Sequence, residues 1–250
     1  MNNTVGTTDT IDRIARRKWL WNFASVLYIS SGVAPFAEAN ENRKKRSVPT
    51  KKKSTGVRKQ ISRLAFSGIP YRTAVKRVAE SLETPVLIDR RLDPDSTIEL
   101  MIHSPTDSSD IFQKLASFRN AVALEWNDLI FLTPEDSVEM ISMARRNMTA
   151  ELKQASPGVK TSLLRKRKVR WPDYSQPRRL IGQWCEKEPG CGGIPEGLAH
   201  IPYDLIAAAE LPPMTLADRV TLIAVQYGVV PGITENGTAL TLRRVRETDS

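Results

Sequence analysis

The chain has 250 residues, 40% of them apolar and 26% charged, which is enough for one or two domains with buried cores. Its formal charge of +9 looks like an invitation to polyanions, but ten Lys and Arg lie in one acid-free stretch between Arg43 and Arg63. With that +10 and the +1 of the first 39 residues set aside, the rest of the chain stands near −2; this argues against a uniformly basic nucleic-acid-binding body and makes the excess a tail property.

At the N-terminus, Arg13, Arg16, Arg17 and Lys18 precede an apolar run, Trp19 to Phe36, that closes on Ala37-Glu38-Ala39. A positive start, a hydrophobic middle and a small-x-small ending are the parts of a secretory signal, so residues 1–39 are expected to be cleaved after Ala39 and the protein exported to the periplasm or beyond. Asn22, Ser25, Ser30, Ser31 and Gly32 make the run polar for a span of about 20 apolar residues. Retention of residues 19–36 as a membrane anchor is the alternative, and a buried N-terminal helix the third. Residues 40–59 are Lys, Arg, Ser, Pro and Thr without periodicity, the composition of a flexible arm. Such an arm serves as a spacer, or Lys51, Lys52 and Lys53 tether it to an anionic envelope polymer or lipid. Nucleic acid is disfavoured because no aromatic side chains are interleaved to stack on bases.

Periodicity predicts a first unit over 60–134. A short strand from Gln60 to Phe66 is turned by Gly68-Ile69-Pro70, and Ala74, Val75, Val78, Ala79 and Leu82 then recur at helical spacing over Tyr71–Leu82. Strands follow at Val86–Ile88 and Thr97–Ile102, with the polar loop Asp89–Ser96 between them. A helix over Ser108–Arg119, capped by Asp107, leads to two strands, Ala121–Trp126 and Leu129–Leu132, joined by Asn127-Asp128. A connecting helix over 135–158 is expected next, with Thr133 as cap, Pro134 at its first position and Ser156-Pro157-Gly158 at its end. Val138, Ile141, Ala144, Met148 and Leu152 form its apolar stripe.

A fainter second printing begins near 159. Sliding the chain by 108 positions pairs Pro105 with Pro213, Asp107 with Thr215 and Asp110 with Asp218. Leu115 then falls on Ile223 and Ala116 on Ala224, and after two extra residues Ile130 and Leu132 meet Leu240 and Leu242. Such self-similarity sets the domain count. The second unit, 159–250, reads as a strand over Leu163–Trp171, a helix over Gln176–Lys187 and a mixed stretch over Gly197–Leu211. Thr215 caps a last helix, and a terminal hairpin turns at Asn236-Gly237. The expected fold class is α+β: two tandem small mixed α/β modules of β-α-β-β-α-β-β type, joined by a long helix and preceded by a basic arm.

Cys185 and Cys191 are the only cysteines. In an oxidising compartment their spacing suits a disulfide closing a small loop, with a pair of buried thiols as the alternative; no second Cys or His pair completes a metal site. Catalytic patterns are missing: no nucleophile elbow and no phosphate loop occurs, and His103 and His200 are the only histidines. Asp89, Asp93 and Asp95 crowd a loop that lacks the glycine and closing glutamate of a calcium site. No catalytic residue, metal or cofactor is expected. The bases Arg165, Arg167, Lys168 and Arg170 are dense on one strand, where charge blunts an exposed edge or faces a ligand.

Taken together, Ile69-Pro70-Tyr71 opening a helix, PVLID at Pro85–Asp89, TIELMI at Thr97–Ile102, a capped helix, AVALEW and LIFLTP resemble the short N-terminal domain shared by secretins and TonB-dependent transducers. The resemblance covers 60–134 well and 163–245 less well, since the Cys185–Gly197 insert and Leu205–Glu210 depart from it. No pore or barrel region follows the module here, so the resemblance implies fold, a periplasmic location and an interaction role only. The expected function is a non-catalytic envelope module that binds a protein partner by strand addition, with Arg165–Arg170 as the edge. Polyanion binding through the arm is the alternative.

Overall fold

The computed structural model describes residues 60–245; the expected signal segment, the basic arm with Lys51, Lys52 and Lys53, and the last five residues lie outside the described residues. The chain runs from β1 (Gln60–Ile61) and β2 (Leu64–Pro70) into α1 (Tyr71–Ser81), then through β3 (Val86–Ile88), β4 (Thr97–Ile102) and β5 (Thr106–Asp107). Helix α2 (Ser108–Ser117) leads to the hairpin β6 (Ala121–Trp126) and β7 (Leu129–Pro134). After α3 (Val138–Gln154) and α4 (Pro157–Leu164) come β8 (Lys166–Trp171), α5 (Pro177–Glu186), β9 (Ala209–Thr215), α6 (Leu216–Ala224), β10 (Val229–Ile233) and β11 (Leu240–Arg244). The fold is α+β.

The two halves share their pairing scheme. In the first, β2 pairs antiparallel with β4, β3 runs parallel to β7, and β7 is antiparallel to β6. In the second, β8 pairs antiparallel with β9 and β10 with β11. Both β2 and β8 carry a register shift, between Phe66 and Ile69 and between Arg167 and Val169. The place of β3 is taken in the second half by one parallel bridge, Glu196 to Thr241, with the Leu242 N–H donating to the Glu196 carbonyl at 2.8 Å. Gly197 permits this approach: its φ is +76°, and a Cβ there would lie 2.0 Å from the Leu242 carbonyl oxygen.

Two cores form, and β7 faces both. Ile130 and Leu132 point into the first, among Val75 and Val78 of α1 and Phe112 and Leu115 of α2. Leu129 and Phe131 point into the second, with Leu87 and Trp126. Alternate side chains leave a strand on opposite faces, so a strand buried on both sides reads as the continuous apolar run LIFL. The second core adds Ile141, Ala144 and Met148 of α3, Val220, Ile223 and Ala224 of α6, and Leu240 and Leu242 of β11. Polar ties join the halves as well. The Trp126 indole N–H and the Asn127 amide both donate to the Asp218 carboxylate, at 3.0 and 3.2 Å. The Arg90 N–H donates to the Gln226 side chain at 3.0 Å, and the Arg90 guanidinium lies 4.7 Å from the centre of the Tyr227 ring.

Several local expectations are corrected. Gly68 does not turn the chain; at φ +64° it sits in the irregularity of a strand that runs on to Pro70. Thr133 is no cap: it is buried in β7 and its hydroxyl donates to Asp89 at 2.9 Å, so α3 begins at Val138 after a single 3₁₀ turn. Pro157 starts α4 instead of closing the connection, because a proline is as well suited to the first helical turn as to a stop. The strand expected from Leu163 therefore begins at Lys166. Asp107 makes no side-chain capping bond, and its carboxylate accepts from Gln60 at 2.7 Å. Thr215 does cap α6, accepting from the Asp218 N–H at 3.1 Å; the Asp218 carboxylate reaches back to accept the Thr215 hydroxyl at 2.6 Å, not its backbone N–H as in a capping box, and also serves Trp126 and Asn127.

Candidate functional site

The basic strand β8 belongs to a two-stranded sheet with β9, and its other edge pairs with no strand among the described residues. The bases are not equally available. Arg165 and Arg167 bond to Glu188 at 3.2 and 2.6 Å; Glu188 is buried while the two arginines are about half exposed, at 47% and 48%. Lys168 reaches across the sheet to Glu210 at 2.5 Å, and this hydrogen bond holds the exposed Glu210 carboxyl below its usual range. Arg170 is exposed and makes no salt bridge among the described residues.

Between β8 and α5 lies a cleft of about 350 Å³, lined by Arg167, Lys168 and Arg170 from the strand, Trp184 and Lys187 from the helix end, Glu188, and Arg219 of α6. Arg219 is 1% exposed. Its Nε donates to the Thr215 carbonyl at 3.4 Å, its guanidinium carbon sits 5.2 Å from the centre of the Trp184 ring, and its Nη2 is buried without a hydrogen-bond partner. Burial pulls the Arg219 pKa down, with Glu188 opposing. Reading along the strand singled out the bases of β8 but missed Arg219; the 108-residue repeat carried the signal, because it sets Arg219 against the apolar Ile111.

Behind this cleft, Cys185 and Cys191 are free thiols in this structure, both buried in the second core. The interaction between the two thiols, with burial, pushes the Cys185 pKa up; the same interaction draws that of Cys191 down against the opposing effect of burial. Close packing at Gly190, where a Cβ would meet the Gly158 carbonyl oxygen at 2.1 Å, pins the Cys191 turn against α4.

A second cleft, of about 670 Å³, separates β3 from the segment Leu205–Glu210. The histidines are not brought together. His103 follows β4 in the first half, and His200 lines a wide cleft with Glu196 and Glu235 in the second, which His103 does not line. The acids of the Asp89 loop are engaged locally: Asp89 is buried and held by Arg91 and Thr133, and Asp93 accepts from the Asp95 N–H at 3.1 Å. No cluster of metal-ligand type occurs among the described residues, and no helix among them is long and apolar enough to cross a membrane.

No protein-family model matches the chain, and neither the curated proteins nor the solved structures give a significant match.

Proposed function

We propose that this protein is an exported, non-catalytic interaction module of the cell envelope, which binds a protein partner by adding a strand to the outer edge of β8. One observation carries the reading: among the described residues the outer edge of β8 pairs with no strand, and it bears four exposed basic positions, Lys166, Arg167, Lys168 and Arg170. Main-chain groups of such an edge satisfy an incoming strand, and the flanking bases select an acidic one. Charge on an edge also blunts aggregation; what favours binding is that Arg170 has no ion-pair partner within the described residues while a basic cleft opens beside it. Two further features support the envelope setting: the signal-like pattern before Asn40, and the resemblance of both halves to short N-terminal domains of secretins and TonB-dependent transducers.

The test is co-purification from envelope fractions of the source cells with the intact protein and with a Lys168→Glu/Arg170→Glu double variant. Both side chains are exposed, so folding is expected to survive the change. A specific protein retained by the first and lost by the second supports the reading; equal retention contradicts it.

A further inference from the structure

Arg219 stands on α6 where the first half places Ile111 on α2, and both side chains are buried, at 1% and 0%. A guanidinium taken out of water needs a counter-charge and hydrogen bonds for its nitrogens. Among the described residues Glu188 is the one carboxylate on the cleft wall, and its oxygens are taken by Arg165 and Arg167; no hydrogen bond or salt bridge joins it to Arg219. What remains for Arg219 is a long bond to the Thr215 carbonyl and the face of Trp184, with Nη2 unpartnered. Arg170 and Lys187 line the same cleft without a salt bridge among the described residues. The cleft therefore holds a fixed, incompletely satisfied fork, backed by an aromatic ring and rimmed by cations.

We infer that this cleft binds the carboxylate of a glutamate or aspartate side chain carried by the segment that docks along β8. The source of the carboxylate rests on the edge reading above; the cleft's chemistry does not. An arginine fork matches the two oxygens of a carboxylate in one plane, and stacking on Trp184 fixes its orientation. The cleft is lined by Arg167, Lys168, Val169 and Arg170 of the strand itself, so alternate side chains of an added strand, about 5 Å from their cross-strand neighbours, reach its mouth.

The experiment uses the full chain and three probes: glutamate blocked at both ends as N-acetyl methylamide, the equally blocked glutamine, and inorganic phosphate. The guanidinium N–H signals of Arg219 and the indole N–H signal of Trp184 are followed by NMR during titration, and thermal midpoints are recorded for Arg219→Met and Arg219→Lys. Blocked glutamate is expected to move both signals and blocked glutamine to leave them unchanged. Arg219→Met should weaken glutamate binding by at least about tenfold with a midpoint no lower than wild type, because an apolar side chain of similar volume replaces an unpaired charge. Arg219→Lys should also bind more weakly, as a point charge lacks the fork. Equal binding of glutamine, undiminished binding by Arg219→Met, or a response to phosphate alone would overturn the inference. A silent glutamate titration alongside a partner still lost in Lys168→Glu/Arg170→Glu removes the cleft and leaves the edge reading standing. The opposite pattern keeps the cleft as a carboxylate site and removes the docked strand.

Discussion

The two halves follow one plan and spend their interiors differently. In the first, α2 turns Ile111, Phe112, Leu115 and Ala116 inward with no buried charge on the helix, and β3 forms a three-residue ladder with β7. In the second, the equivalent helix buries Arg219 among its apolar residues, and the ladder shrinks to the bridge at Glu196. The second half shortens its ladder and holds a charged cluster of Arg165, Arg167, Glu188 and Arg219 beside its apolar core.

The largest expected effect tests whether the halves stand together. Leu115→Ala and Ile223→Ala remove equivalent buried side chains, one from each core, and each should lower stability by about 2–5 kcal/mol. Because Leu87, Trp126, Leu129 and Phe131 of the first half sit in the second core, both variants should shift one shared transition in urea. Two separable transitions would break the comparison.

A smaller effect separates charges that hold the fold from those that do not. Glu188→Gln leaves Arg165 and Arg167 facing a neutral amide at a buried position, with an expected loss of about 2–3 kcal/mol. Glu210→Gln, at the exposed pair with Lys168, should leave the urea midpoint where it was. Similar midpoints for the two variants would contradict the account of the cluster.

Arg219→Ile, which restores the residue type of the first half, should leave the midpoint unchanged or raised; a fall of more than about 1 kcal/mol would show that Glu188 relies on Arg219 more than the geometry implies.

The smallest effect concerns Tyr71, at the start of α1. Burial raises its phenol pKa to about 12, and its hydroxyl has no hydrogen-bond partner. A pKa raised in the folded state gives stability that is intact below about pH 10, the ordinary phenol value, and is lost as the pH climbs toward 12. Tyr71→Phe should therefore flatten the decline between pH 10 and 12 in a pH series of melting midpoints, and at neutral pH it should match or slightly exceed wild type. An unchanged slope would assign the alkaline loss to other groups.

Much of this architecture is legible in the sequence because local and tertiary demands coincide there. The LIFL run is apolar throughout since both faces of β7 are buried, and Thr215 caps a helix with its own side chain. Reading failed where one residue type serves two ends. Pro157 starts a helix as readily as it stops one, and Thr133 uses its hydroxyl on a distant buried aspartate. Asp218 takes the Thr215 hydroxyl at its own helix end, but its other partners Trp126 and Asn127 stand 92 and 91 residues away. The candidate site was half legible. The bases of β8 stand out along the chain, whereas Glu188 and Arg219 reach the cleft from other elements, and only the alignment of the repeats marks Arg219 as a charge in an apolar position.

Strand addition at β8 of the second half, as against the equivalent β2 of the first, is open to direct test by site-specific photo-crosslinking. A photoreactive residue is placed at Lys168 on β8 or at Ser67 on β2, both exposed near the register shift of their strands, in protein expressed in the source cells. One discrete protein adduct is expected from position 168, abolished by Arg170→Glu, and none from position 67. The same adduct from both positions, or an adduct from 67 alone, would contradict it.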